Sequence, residues 1–316
     1  MNLYTLELEN DRLLNVIPFI QFCVNNQGND IIIKANNEGH CLRFSDVYDI
    51  LDMFEFNSVQ LNTFNIVESH PKYLINNTQW NYWLITSQQK FNFNFDYTWN
   101  KDKIFGCFYG RPSAPRLGIA GHLAKYHDEK SLIATKFEFE GQDNRKLFDI
   151  QRLYEWDSNA LELIFILQNN KKYYYNGYYD RGHYHNGNTE LEYLYKNIFV
   201  DIVCEPTSSG IAFYPTEKIA RAILCRRPFI AMCSKNYLIY LRQLGFRTFH
   251  EYWSEDYDGF DGATKYHMIL KLIDDIALKS CGEIEIMFNE MQNILTHNYN
   301  LLISQQYNKT VVEIND

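Results

Sequence analysis

Hydrophobic positions along this chain fall into short apolar runs separated by segments of helical spacing. Residues 197–205 form a nearly continuous apolar run with β-branched members, which suits a strand covered on both faces, as in a parallel sheet. Phe229–Met232, Lys103–Tyr109 and Asp30–Ala35, centred on Ile31-Ile32-Ile33, read as further strands. Residues 58–67 and the short stretch 83–86 also read as extended. Between them, residues 44–56 have helical spacing after a Ser45 cap, and residues 119–126 are helical in pattern. Ile219, Ala222 and Ile223 recur at helical spacing behind the start signals Pro215 and Thr216. Leu238, Leu241 and Leu244 do so ahead of Gly245, placed as a C-terminal cap. Beyond Gly262 the stripe Tyr266, Ile269, Ile273, Ile276 and Leu278 predicts a helix, and 284–303 a second long one. This alternation predicts an α/β fold.

The segment from Phe199 to Phe249 carries the most chemistry. A buried strand runs into Pro206-Thr207-Ser208-Ser209-Gly210, a break, and then into a helix opening on Thr216-Glu217-Lys218. A helix N-terminus holds about half a positive charge and unpaired N–H donors, so it is a natural seat for a phosphate. In open α/β sheets, ligands bind at strand carboxyl ends, where this loop falls. A plainer alternative is an ordinary surface pair between Glu217 and Arg221, four apart on the helix.

Tyr214-Pro215-Thr216-Glu217-Lys218, followed by Ala222-Ile223-Leu224, Arg227-Pro228-Phe229-Ile230 and Tyr240-Leu241-Arg242-Gln243-Leu244-Gly245-Phe246-Arg247-Thr248-Phe249, resembles the donor-binding half of fucosyltransferase-like glycosyltransferases and related sugar transferases of bacteria and large DNA viruses. The resemblance covers about one sixth of the chain. It implies two Rossmann-like domains in a GT-B arrangement, with a nucleotide sugar, a GDP sugar by preference, held in the C-terminal one. Glu217 would take the ribose hydroxyls and Lys218 the diphosphate. The expected donor-binding set is Arg111, Arg116, Glu205, Ser208, Ser209, Tyr214, Thr216, Glu217 and Lys218. Arg111 and Arg116 enter because Gly110-Arg111-Pro112-Ser113-Ala114-Pro115-Arg116 also lies between a strand and a helix. The family's usual Asn is lacking there, so the choice between the two arginines stays open. Ile66-Val67-Glu68-Ser69-His70 resembles the N-domain segment that holds the family's catalytic Glu. Glu68 is therefore the expected base, with His70 its rival, and the product would have inverted anomeric configuration.

Length and composition suit such an enzyme. A chain of 316 residues suggests two domains, placed at 1–150 for the acceptor side and 151–285 for the donor side, with 286–316 a terminal helix crossing back plus a tail. The 24 Tyr and 22 Phe are many, and some suit a sugar site, where rings cover the apolar faces of pyranoses. A net charge of −9 argues against a general nucleic-acid binder. A local basic pocket remains compatible with it, built from Lys218 with Arg111, Arg116, Arg226 or Arg227.

Seven cysteines without CxxC spacing, among them Cys107, Cys204, Cys225 and Cys233 in apolar runs, read as reduced core thiols of a cytoplasmic protein. No signal peptide and no stretch of about 20 apolar residues is apparent, which leaves only peripheral attachment to a membrane. No cofactor is expected beyond the nucleotide-sugar co-substrate, and the acceptor would be a glycan or other hydroxyl compound. Two clusters offer a metal alternative. One is Asp180, His183 and His185 in a Tyr/Gly/His tract that otherwise reads as an irregular loop or hairpin. The other is Glu255, Asp256, Asp258 and Asp261, whose Asp-x-Asp resembles the motif of metal-dependent GT-A enzymes. A catalytically silent glycan- or nucleotide-binding protein is the third reading.

Overall fold

A computed structural model describes residues 2–6, 8–9, 12–13, 15–35, 45–63, 74–76, 98–110, 112–135, 144–170, 194–206, 208, 213 and 215–304. Two parallel sheets organise them, together with a small antiparallel pair, β2 (Leu8–Glu9) and β3 (Arg12–Leu13).

The first sheet contains β1 (Asn2–Leu6), β4 (Asp30–Ala35), β5 (Ser58–Thr63) and β6 (Leu74–Asn76) in that spatial order, all parallel. Helices α1 (Val16–Asn25) and α2 (Ser45–Asp52) provide crossovers. Because the strands add in sequence and crossovers are right-handed, these helices share one face. Burial follows suit. Ile31 and Ile33 are buried while Ile32 and Lys34 are not, and Val59 and Leu61 alternate with Gln60 and Asn62 in the same way. The register pairs Ile31 with Val59 and Ile33 with Leu61, so like sides meet. Phe19, Cys23 and Leu51 from the helices close this small, separate core.

The second sheet has the order β10-β9-β7-β8, again all parallel: β7 (Lys103–Tyr109), β8 (Ser131–Thr135), β9 (Ile198–Cys204) and β10 (Phe229–Met232). The chain enters at β7, moves outward to β8, returns to lay β9 on the other side of β7, and moves outward again to β10. Right-handed crossovers in opposite directions put α3 (Ala114–Tyr126) and α6 (Glu217–Leu224) on opposite faces. Helices α4 (Asn144–Trp156), α5 (Ala160–Asn169) and α8 (Gly262–Ala277) pack with α3. The last helix packs against α6. All seven residues of β9 and all four of β10 are buried, as strands covered on both faces should be.

Residues 114–124 of α3 are buried all round, and its small residues let its neighbours approach. A Cβ at Gly121 would lie 2.5 Å from Cβ of Leu163, and one at Gly118 2.5 Å from the Tyr266 hydroxyl. Helix α7 (Tyr237–Gln243) ends before Gly245 at φ +93°, the left-handed geometry expected of a C-terminal glycine. Helix α9 (Cys281–Glu290) starts on a capping box in which Ser280 and Glu283 bond reciprocally.

Three sequence expectations change. Residue 150 falls inside α4, and strands on both sides of it share one sheet, so sheet membership divides the described residues between Asn76 and Lys103. The single long helix over 284–303 is two, α9 and α10 (Gln292–Ser304), with buried Met291 between them. Helix α10 packs on α6 and on the turn after α7, where Asn298 accepts from Arg247 N at 2.8 Å and donates to Arg247 O at 2.8 Å. Those contacts hold it to the second sheet. Leu278, expected on the apolar stripe, is 86% exposed because α8 ends one residue earlier. Among the described residues, no helix is long and apolar enough to cross a membrane.

Candidate functional site at the carboxyl edge of the second sheet

In chain order the four strands of the second sheet are arranged 2-1-3-4, the flavodoxin-like doubly wound order. Its reversal of direction falls between β7 and β9. Ligands of such sheets bind outside the carboxyl ends of the strands flanking that reversal. The residues just past those ends are Gly110 after β7 and Glu205 after β9.

Glu205 organises the edge. It is 2% exposed, and it accepts Thr216 N at 3.0 Å and the Tyr237 hydroxyl at 3.0 Å through Oε1, and the Thr216 hydroxyl through Oε2. Burial raises its carboxyl above the usual range, while Lys218 and the Thr216 donors pull it back. The strand end is thus clamped to the residue that opens α6. Thr216 has extended backbone and serves as N-cap, its Oγ1 accepting Lys218 N at 3.3 Å. Lys218 Nζ donates to that same Oγ1 at 3.1 Å and to Glu217 Oε1 at 2.8 Å. Burial opposes ionisation of Glu217, but the Lys218 and Arg221 charges, the Lys218 hydrogen bond and one from its own backbone outweigh it and hold the pKa at about 2.

The pair is not sealed in packing. Side chains of Lys218 and Glu217 retain 17% and 31% exposure. Glu217 is ionised at neutral pH, and both side chains reach solvent above a buried acid.

Arg116 comes to the same edge from the other side of the reversal. Ala114, Pro115 and Arg116, read from sequence as part of a loop, are the first turn of α3, where proline is tolerated because its missing N–H would be unpaired anyway. From there Arg116 donates through Nη2 to Cys204 O at 2.8 Å and lies 6.0 Å from the Tyr109 ring. Ser208 is buried, and its carbonyl accepts Gly262 N at 3.2 Å, tying the loop after β9 to the start of α8. Arg116, Glu205, Ser208, Thr216, Glu217 and Lys218 therefore share one end of the sheet. Arg111, Ser209, Tyr214, Glu68 and His70 lie outside the described residues. So do Asp180, His183, His185 and the stretch 83–86.

Two expectations fail on geometry. Arg226 and Arg227 sit at the far end of α6, away from this edge. Arg227 is buried and donates through Nε to Tyr195 O at 2.8 Å, and Arg226 lies 4.3 Å above the Tyr299 ring. The acidic run is structural as well. Asp258 Oδ2 accepts Leu238 N at 2.9 Å and Ile239 N at 3.2 Å, while Oδ1 lies 3.4 Å from buried Lys265. Those contacts anchor the start of α7. Glu255 accepts Phe249 N, the Thr248 hydroxyl and Arg242, each within 2.9 Å, and Asp256 accepts the Ser254 hydroxyl at 2.7 Å.

Sequence reasoning missed the polar layer below the site. Asp201, one of the seven residues of β9, accepts the Tyr195 hydroxyl, which in turn accepts Arg221 Nε at 2.9 Å. Burial chiefly, against the Arg221 charge and the Tyr195 bond, pushes the Asp201 carboxyl up to about 6. The only local signal was an acid within an apolar run. A cavity of about 840 Å³ lies elsewhere, lined by His122, His127, Trp156, Asp157, Lys271 and Asp274 among others, at the C-terminal end of α3.

No protein-family model matches the chain, and neither a curated protein nor a solved structure matches it.

Proposed function

We propose that the chain is a glycosyltransferase that transfers a sugar from a nucleotide sugar to a hydroxyl acceptor, with the second sheet binding the donor. One observation carries this reading: the Glu205-Thr216-Lys218 assembly at the end of β9, with Arg116 reaching the same strand end from α3 across the sheet's reversal. Lys218 and the start of α6 suit a diphosphate, since charge-assisted bonds are about twice as strong as neutral ones. Glu217, partly exposed beside it, suits ribose hydroxyls. Donor arrival would exchange the Lys218–Glu217 contact for contacts to phosphate and ribose. Glu205 is then a positioning residue, because its oxygens are occupied by Thr216 and Tyr237.

In this reading Glu68, or His70 in its place, takes the acceptor proton while Lys218 and Arg116 or Arg111 stabilise the departing diphosphate, and inversion follows from attack opposite the leaving group. A GT-B arrangement, with the acceptor on the N-terminal sheet, belongs to the same proposal. The metal-dependent alternative on Asp256 and Asp258 is disfavoured, because Asp258 is committed to the start of α7.

The test is nucleotide binding followed by transfer. Thermal shifts against GDP, UDP, CDP and dTDP should single out one base, since a ligand at 100 times its Kd stabilises by about 2.7 kcal/mol. Lys218→Ala should weaken that nucleotide by about 1.5–3 kcal/mol with little change in the unliganded melting temperature. Flat shifts with all four nucleotides, or unchanged affinity in the variant, would remove the donor site. Binding without transfer or donor hydrolysis would leave a nucleotide-binding protein instead.

A further inference from the structure

Two histidines and an aspartate meet at the end of α3 remote from Thr216. His122 lies on α3, and His127 follows as the residue that ends it, leaving helical geometry at φ −136°. Asp274 comes from the last turn of α8. Both rings direct Nε2 at the same carboxylate oxygen, Asp274 Oδ1, at 2.8 Å from His122 and 2.6 Å from His127. One ligand atom from each of the three lies within 4.8 Å of the other two.

We propose that His122, His127 and Asp274 bind a divalent transition-metal ion, zinc by its ligand chemistry, with a fourth coordination position facing the cavity of about 840 Å³. Zinc takes imidazole nitrogens at about 2.0–2.1 Å and carboxylate oxygens at about 2.0–2.2 Å, so a tetrahedral ion holds its ligand atoms about 3.3 Å apart. The nitrogens already converge on one point. Their separations from the oxygen at that point, 2.8 and 2.6 Å, fall short of the tetrahedral spacing by about 0.5–0.7 Å, and Asp274 is the member free to turn, with 46% of its side chain exposed. The imidazoles are held: His122 and His127 side chains are 11% and 15% exposed, packed against Tyr126 and Phe105 respectively.

Two imidazoles and one carboxylate select zinc-like ions over magnesium or calcium, which prefer all-oxygen shells. Three protein ligands with an open fourth position match catalytic or ligand-binding zinc sites better than structural ones, which are closed by four. The cavity beside the trio supplies room for water or a small anion at that position, and Lys271 in its lining supplies a positive charge. This site lies at the opposite end of α3 from the donor loop, so it stands or falls independently of the glycosyltransferase reading.

Isothermal titration of the full chain with Zn²⁺, after chelator treatment, tests it. One tight zinc per chain is expected, with no binding of Mg²⁺ under the same conditions. Co²⁺ in place of zinc should give the intense visible absorption of a four-coordinate centre. Asp274→Ala and His127→Gln should each weaken this event at least tenfold, while circular dichroism confirms that both variants remain folded. His122→Ala, at a more buried position, serves as a third variant if either of the others melts early. Absence of saturable zinc binding overturns the proposal and leaves a hydrogen-bonded His-Asp-His contact. Zinc affinity undiminished in the folded variants overturns it equally, by placing the ion elsewhere on the chain.

Discussion

The two parallel sheets solve the same problem with different amounts of cover. In the first, strands add in sequence, helices take one face, and burial alternates residue by residue along β4 and β5. In the second, the reversal between β7 and β9 sends helices to both faces, and β9 is buried at every position. The polar groups differ accordingly. Gln60 and Asn62 of β5 bond to each other at 2.8 Å on the less buried face, whereas Asp201 and Glu205 of the second sheet are 2% exposed and bonded within the protein. Among the described residues, only the doubly covered sheet holds carboxylates out of water next to a strand end.

The largest consequence concerns truncation. Every large residue of β9 should matter, so Phe199→Ala is expected to cost about 3–5 kcal/mol and Ile202→Ala about 2–5 kcal/mol. In β4 the cost should alternate, about 2–5 kcal/mol for Ile33→Ala and less than about 1.5 kcal/mol for half-buried Ile32→Ala. Denaturant unfolding of the four variants reads this directly. Equal losses at Ile32 and Ile33 would mean that the first sheet is covered on both faces and the contrast is wrong.

How much of this was legible in the sequence depends on the same contrast. Asp30–Ala35, Lys103–Tyr109 and Phe229–Met232 were readable to the residue, and β9 to within one at each end, because short apolar runs bounded by polar breaks leave little choice. Thr216 as a cap and Gly245 as a stop were equally local signals. What failed was non-local. The proline-rich stretch before α3 reads as a connection between strand and helix, yet Ala114 to Arg116 are helical, which is what aims Arg116 at Cys204. The Asp-x-Asp spacing gave no hint that Asp258 is spent on Leu238 and Ile239, 20 and 19 residues away. His122 and His127 were close enough to notice together, but Asp274 lies 152 and 147 residues further on, and no local pattern announces it. Helices α4 and α5 went unread, and with them the fact that β8 and β9, though far apart in sequence, share a sheet.

A smaller effect is expected at the clamp. Glu205→Ala leaves Thr216 N, the Thr216 hydroxyl and the Tyr237 hydroxyl without their acceptor in a buried place. Each lost buried bond costs about 1–3 kcal/mol, and partial relaxation should bring the total to about 3 kcal/mol. Gln60→Ala in the first sheet removes a hydrogen bond of similar length but should cost under about 0.5 kcal/mol, because water replaces the partner. Comparable losses from the two variants would show that the Glu205 network is solvated.

Asp201 extends the comparison to pH. Its carboxyl is pushed up from an ordinary 3.8 to about 6, so the folded chain holds the proton more tightly than the unfolded one. The stability it contributes is fully present below about pH 4 and is lost as pH rises through about 6. Wild type should therefore lose stability relative to Asp201→Asn across that window. At about 1.4 kcal/mol per pKa unit the loss is at most about 3 kcal/mol, and less where Glu205 titrates with it. Parallel stability curves for the two proteins between pH 4 and 7 would place Asp201 in contact with water.

The smallest effect should come from the first strand, where the contrast is sharpest within a single element. Leu3 is 52% exposed and Leu6 1%, though both are leucines of β1. Leu3→Thr exchanges one strand-compatible residue for another at a wet position, so unfolding free energy should stay within about 0.5 kcal/mol of wild type. Leu6→Thr, by contrast, sets a hydroxyl among Phe19, Ile31 and their neighbours, where it displaces methyl groups and adds a polar atom. If Leu3→Thr proved as damaging as Leu6→Thr, some part of the chain outside the described residues would have to cover the outer face of β1. The first sheet would then carry two layers of helix or loop, as the second does, and the difference in cover that separates the two sheets would disappear.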